Sequence, residues 1–156
     1  MNKIIFGDLI FLALSGQFNV IAHGCNCFVT MGAGIAAQIK DVFPEAYAAD
    51  QLTNKGDLRK LGTLSMGESK TSSGNKLLIV NLYTQYMWGK TTELETQDDR
   101  YAAIRQSLKL LNKIVTPDDN IGLPKIGAGL AGGNWGVISK IIYEELPQAI
   151  IVEYNK

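Results

Sequence analysis

Met31-Gly32-Ala33-Gly34-Ile35 and Ile126-Gly127-Ala128-Gly129-Leu130-Ala131-Gly132-Gly133-Asn134-Trp135 are the two stretches on which the reading of this chain turns. Each lies between an apolar run that reads as a strand and an amphipathic run that reads as a helix. Glycine lets a backbone approach an anion closely, and a helix N-terminus presents unpaired N–H groups with partial positive charge. Two such turns predict a ligand with two phosphates held from opposite sides.

Outward from the first turn, Asn19–His23 is a continuous apolar run, as expected of a strand buried on both faces. After the turn, Ile35, Ala36, Ile39, Val42 and Phe43 recur at helical spacing, and Pro44 ends that helix or starts the next. Lys3–Phe6 reads as a first strand closed by Gly7-Asp8, and Leu61–Glu68 and Leu77–Leu82 as two more. Tyr83 to Thr96 is a long polar and aromatic loop containing Tyr86 and Trp88, read equally as a lid over a ligand or as loop packing. Tyr101, Ile104, Leu108 and Leu111 mark an amphipathic helix, opened by Asp98-Asp99 where negative charge offsets the dipole. Ile121–Leu123 is a short strand, Asn134 caps a last helix, and Ala149–Glu153 is the final strand. Strands and helices alternate, which predicts one three-layer α/β/α domain over residues 1–156 around a largely parallel sheet. Ligands of such sheets bind beyond the carboxyl ends of the strands, where both glycine turns fall.

The 156 residues carry 15 Lys+Arg against 15 Asp+Glu, with no basic run, so direct binding of duplex nucleic acid is not expected. Cys25 and Cys27 stand too close together for a framework disulfide, and a reducing, cytoplasmic setting is the simpler reading. The apolar run Leu9–Leu14 is too short to span a membrane. With no coiled-coil seam, a monomer is the default. Gly32-Ala33-Gly34 lacks the third glycine of a dinucleotide fingerprint, and no Walker-type Gly-x-x-x-x-Gly-Lys-Ser/Thr loop is present, Thr84 standing where Gly89-Lys90-Thr91 would need its first glycine. His23, Cys25 and Cys27 alternate, but no second cluster completes a zinc set, so no metal is expected and the cysteines read as small buried residues. His23, at a strand end beside the first loop, reads either as a core residue or as a proton carrier. Tyr154, just past the last strand, either fills the core edge or stacks on a base.

Gly7-Asp8-Leu9, the run from His23 through Ala36, and Pro124-Lys125-Ile126-Gly127-Ala128-Gly129-Leu130 together resemble a macro domain. The resemblance is to the branch that includes the ADP-ribose-1″-phosphate phosphatases and the terminal ADP-ribose protein glycohydrolase, and it runs from Lys3 to Tyr154. It implies a mixed, largely parallel six-stranded sheet between helices, with ADP-ribose in a cleft at the crest and no cofactor. It also implies that Asp8 bonds the adenine amino group with the Leu9 backbone alongside, that Tyr154 packs near adenine, and that Asn26 approaches the distal ribose. Met31, Gly32, Ala33, Gly34 and Ile35 on one side, and Lys125, Ile126, Gly127, Ala128, Gly129, Leu130, Ala131 and Gly132 on the other, would wrap the diphosphate and that ribose.

One departure bears on activity. The glycohydrolase branch uses a lysine on the strand before the long loop and an aspartate in the second glycine loop. Those positions are Thr84 (or Gln85) and Ala131 here, and neither forms a lysyl adduct or acts as a carboxylate base. The expected activity is therefore hydrolysis of ADP-ribose-1″-phosphate to ADP-ribose and phosphate, with His23 as proton carrier and Asn26 as positioner of ribose or water. The alternatives are removal of ADP-ribose from a macromolecule, deacetylation of O-acetyl-ADP-ribose, and ADP-ribose binding without turnover. The partners implied are ADP-ribose or a 1″-substituted derivative, with ADP-ribosylated macromolecules as a second class.

Overall fold

A computed structural model describes residues 1–129 and 131–154. The elements follow in the order β1 (Ile4–Phe6), α1 (Leu9–Leu14), β2 (Val20–Cys25), α2 (Gly34–Val42), α3 (Pro44–Gln51), a 3-10 turn (Leu58–Lys60), β3 (Leu64–Lys70), β4 (Lys76–Tyr83), α4 (Gln97–Ile114), β5 (Ile121–Leu123), α5 (Trp135–Glu145) and β6 (Ile150–Glu153). The six strands form one sheet in the order β1-β6-β5-β2-β4-β3. Every pairing is parallel except that of β3 with β4.

The period of two along the strands sorts side chains onto two cores. Val20 and Ala22 of β2 and Val80 and Leu82 of β4 meet α4 and α5, through residues such as Ile104, Leu108, Ile138 and Ile142. Ile21 and Ile79, on the opposite face, meet α1, α2 and α3, through residues such as Leu9, Ile39, Phe43 and Ala46. The sheet is thus covered on both sides, which is why β2 is an unbroken apolar run.

Local chemistry sets the element ends. Pro44 opens α3 at its first position, so α2 stops at Val42. Thr96 and Asp99 form a reciprocal capping box at the start of α4, and the Asn134 side chain caps α5. Gly67 of β3 lies so close to α3 that a Cβ there would come within 2.5 Å of the Glu45 carbonyl oxygen. Three boundaries differ from the sequence reading. Leu9–Leu14 is a short buried helix rather than a bare apolar run, and Tyr83 completes β4 rather than opening the loop. The strand expected from Leu61 begins at Leu64, because Leu58–Lys60 takes up a 3-10 turn. No helix among the described residues is long and apolar enough to cross a membrane.

Candidate functional site

The parallel strands all end at one crest, and the segments leaving them line up in sheet order. Asp8 follows β1, Tyr154 follows β6, the second glycine loop follows β5, the first follows β2, and the Gln85–Lys90 segment follows β4. A cleft of about 800 Å³ opens across the last three of these. That is the size of a small-molecule site.

One wall is the first loop and the start of α2, from Asn26 and Thr30 through Ala36. Two non-glycine residues of this loop, Val29 (φ 59°) and Met31 (φ 41°), adopt the left-handed region. For a β-branched residue that conformation stores strain, and such strain is concentrated at ligand sites. Met31 pins the loop by burying its side chain among the α1–α3 core residues, 3 % exposed. The Asn26 side chain accepts from Phe28 N (2.8 Å) and donates to Thr30 Oγ1 (2.8 Å), holding the turn in shape while lining the cleft.

Helix α2 begins in this wall, and its start is bare. Asp8, Thr96 and Asn134 cap α1, α4 and α5 with their side chains, but Ala33 at the N-cap of α2 cannot. Among the described residues, the amides of Gly32 through Ala36 donate to no protein acceptor. The same holds for Gly127, Ala128 and Gly129 across the cleft. Gly127 and Gly132 hold positive φ (73° and 78°), which turns the second loop back over the sheet. Two facing groups of unpaired N–H dipoles, one of them a helix N-terminus, can hold an anion without a basic side chain.

The third wall is the loop after β4, where Gln85, Trp88, Gly89 and Lys90 line the cleft. It is strapped down by a buried ion pair that no local sequence signal announces. Arg100, in the first turn of α4, is 1 % exposed and meets Glu95, 2 % exposed, through Nη2 (2.7 Å) and Nε (2.9 Å). The remaining guanidinium hydrogens reach the carbonyls of Met87, Gly89 and Lys90 in this loop and of Ala131 in the second glycine loop. The carboxylate of Glu95 accepts in turn from Tyr86 N (2.9 Å) and Met87 N (3.3 Å). One cation therefore holds two walls at a set spacing. Trp88 stands over this end, 58 % exposed, with its ring edge-on to Phe28 at 5.9 Å.

Of the residues expected to bind ligand, Asn26, Met31, Gly32, Ala33, Gly34, Ile35, Gly127, Gly129 and Ala131 line the cleft. Ala128 is half-buried and Gly132 exposed in the same loop, and Leu130 lies outside the described residues. Ile126 is turned into the core, 3 % exposed. Lys125 stands outside the cleft, 3.5 Å from Glu153 and over the Trp135 ring. Asp8, Leu9 and Tyr154 lie off the cleft at the β1–β6 end of the crest. Asp8 caps α1, Leu9 is buried and Tyr154 is 68 % exposed.

His23 is corrected. It does not line the cleft but sits fully buried in mid-sheet, with Nε2 2.7 Å from Asn81 Oδ1. Burial lowers its pKa from 6.5 to about 4, only partly offset by the Asn81 bond. A ring held neutral and out of reach is not the proton carrier. The two cysteines are buried, as their size suggests, and burial raises both thiols, Cys27 to about 11. Thr84 is buried against Gly24 and offers nothing to the cleft, while Gln85 lines it. Sequence reasoning missed Asp50 altogether. It lies in the cleft wall, and its spacing of four from the buried Ala46 on α3 is the signal that places it on the inner face.

An α/β domain with a mixed sheet, helices on both faces and an amide-lined cleft at its crest is the class these features define. The family model described as Macro domain matches residues 22–142, and the chain belongs to that family. It is 39 % identical, over 98 % of its length and 96 % of the relative's, to an uncharacterized 17.5 kDa protein of Enterobacteria phage T4. It is 30 % identical, over 91 % of its length and 92 % of the relative's, to the ADP-ribose 1″-phosphate phosphatase of Debaryomyces hansenii. Among solved structures, Thermosipho africanus DarTG in complex with ADP-ribose has the same fold, with a TM-score of 0.70 and 16 % identity over 99 % of this chain and 42 % of that one.

Proposed function

We propose that this macro domain binds ADP-ribose and hydrolyses ADP-ribose-1″-phosphate to ADP-ribose and phosphate. The observation that carries the reading is the pair of facing amide walls on a chain whose charged side chains cancel. Fixed dipoles hold a diphosphate there without reorganising, and they stabilise charge that builds up on a transferring phosphoryl group. The Debaryomyces hansenii relative, matched over nearly the whole chain, is named for this reaction.

Sheet order supports one direction for the ligand. Adenine would lie on the open shelf by Asp8, Leu9 and Tyr154, and the pyrophosphate would lie between Gly32–Ile35 and Gly127–Gly132. The distal ribose would reach Asn26 and the Gln85–Lys90 wall. Asp8 spends Oδ1 on Phe11 N (3.1 Å) and keeps Oδ2 for an adenine amino group.

The lysine and aspartate of the glycohydrolase branch are replaced by Thr84 or Gln85 and by Ala131, which favours phosphate release over cleavage through a lysyl adduct. The test is a panel of ADP-ribose-1″-phosphate, O-acetyl-ADP-ribose and macromolecule-linked ADP-ribose, with calorimetry of ADP-ribose alongside. Phosphate release from the first substrate is the expected result. Micromolar ADP-ribose binding with no product from any substrate would make the chain a binding module instead. Absence of binding by well-folded protein at millimolar ADP-ribose would refute the reading entirely.

A further inference from the structure

The cleft holds one carboxylate that the binding scheme leaves without a task. Asp50, in the last turn of α3, is 1 % exposed yet contributes to the cleft wall beside Cys25 and Asn26. Its Oδ1 accepts from the Tyr83 hydroxyl at 2.7 Å. Among the described residues no donor meets Oδ2 and no cation lies within ion-pair distance. The residue nonetheless borders the cleft.

The surroundings keep Asp50 in place and disfavour its charged form. Tyr83 ends β4, in register with Cys25 at the end of β2. Its hydroxyl also pairs with Ser65 Oγ (2.7 Å), which receives Asn81 Nδ2 (3.0 Å). Lys60, from the 3-10 turn, spends its ammonium on Cys27 O (3.1 Å) and on the Tyr83 ring face (4.7 Å). The titratable groups facing Asp50 are thus Tyr83 from β4, Cys25 from β2, Cys27 from the first loop and Lys60 from the turn. Burial raises the Asp50 carboxyl above the usual aspartate range, against the opposing pull of Tyr83 and Lys60. The negative end of α3 acts in the same direction.

We propose that Asp50 is the proton-transferring carboxylate of the cleft, acting at the anomeric end of the substrate directly or through one water. The assignment rests on the phosphatase reading above. A water oxygen bonds to phosphorus, and the P–O1″ bond breaks with its electron pair passing to O1″. The Asp50 proton goes to O1″, and the proton shed by the attacking water restores the carboxyl. One water is consumed, and ADP-ribose and phosphate leave.

Asp50→Asn preserves the shape and can still accept from Tyr83, so it separates chemistry from packing. The proposal expects ADP-ribose affinity within about threefold of wild type and kcat for ADP-ribose-1″-phosphate down by about 100-fold or more. Tyr83→Phe keeps the ring but removes a bond that lowers the Asp50 pKa. It should move the corresponding limb of the pH–rate profile to higher pH with KM little changed, a shift that a merely structural Asp50 would not produce. Urea unfolding gives a reading independent of turnover. Asp50→Asn should gain stability relative to wild type at pH 8 and lose that gain as the pH falls towards 4, because only the ionised carboxylate is penalised by burial. Near-wild-type kcat in Asp50→Asn, an unmoved profile in Tyr83→Phe, or a pH-independent stability difference would each overturn the assignment. Wild-type protein that neither binds ADP-ribose nor releases phosphate would instead overturn the function on which it rests.

Discussion

Lowering the pH should destabilise this protein through a single imidazole. His23 is the one histidine in the chain, and burial brings its pKa from 6.5 to about 4. The folded ring resists protonation while the unfolded ring accepts a proton readily. Above about pH 6.5 both states carry a neutral ring, and the stabilising preference for the neutral form is fully present. As the pH falls from there, the unfolded chain takes up a proton that the folded chain refuses. Stability drains away until the folded ring also titrates, near pH 4. At about 1.4 kcal/mol per tenfold, the loss is about 2 kcal/mol by pH 5 and about 3 kcal/mol once complete. Urea unfolding across this range measures it, with His23→Gln as the comparison, since glutamine can still donate to Asn81 but cannot ionise. The wild type should be more acid-sensitive than the variant by about 2–3 kcal/mol. The imidazole signals of the folded protein, unambiguous for a lone histidine, should stay in their neutral positions down to about pH 5. A folded-state midpoint near 6.5, or parallel acid sensitivities in the two proteins, would refute the burial argument and return His23 to the list of proton carriers.

Other perturbations read other parts of the molecule. Glu95→Gln leaves the buried Arg100 charge unpaired and should cost about 3–5 kcal/mol in urea unfolding; a loss under about 1 kcal/mol would mean that the pair holds nothing together. At Gly129 a Cβ would meet no atom of the described residues within 4 Å, so Gly129→Val should change the melting temperature by no more than a few degrees while weakening ADP-ribose binding about tenfold or more in calorimetry. Gly67→Ala should behave in the opposite way, because its Cβ would strike the Glu45 carbonyl: about 1–3 kcal/mol of stability lost, with affinity of the folded fraction intact. Trp88→Ala removes an exposed ring resting on Phe28, and should raise KM for ADP-ribose-1″-phosphate several-fold at a stability cost of about 1 kcal/mol or less.

The sheet was legible because its signals are local. Continuous apolar runs at β2 and β4 and glycine turns at strand ends give both the parallel pattern and the position of the crest. The first-loop residues were equally legible, since Gly32 and Gly34 can be recognised one stretch at a time. His23 misled because a strand-end position in sequence looks like a crest position, whereas β2 continues to Cys25 and leaves His23 in mid-sheet. Arg100 and Asp50 were hidden for a related reason. A charged residue in a helix reads as solvent-facing, and only the return of the loop after β4 over α4, or the packing of α3 on β3 and β4, buries it. Tyr83, read as loop, turned out to be the hinge between Asp50 and the Ser65–Asn81 network.

The Arg100 strap bears on how a guest enters. Two of the cleft's walls share one guanidinium, so a jaw-like opening would require dragging a paired cation out of the interior. Those two walls, the second glycine loop and the Gln85–Lys90 loop, should then keep their spacing as a ligand enters. A receptor of fixed gauge loses little ordering entropy on association, and it discriminates among congeners by steric tolerance at their two tips rather than by clasping around the middle.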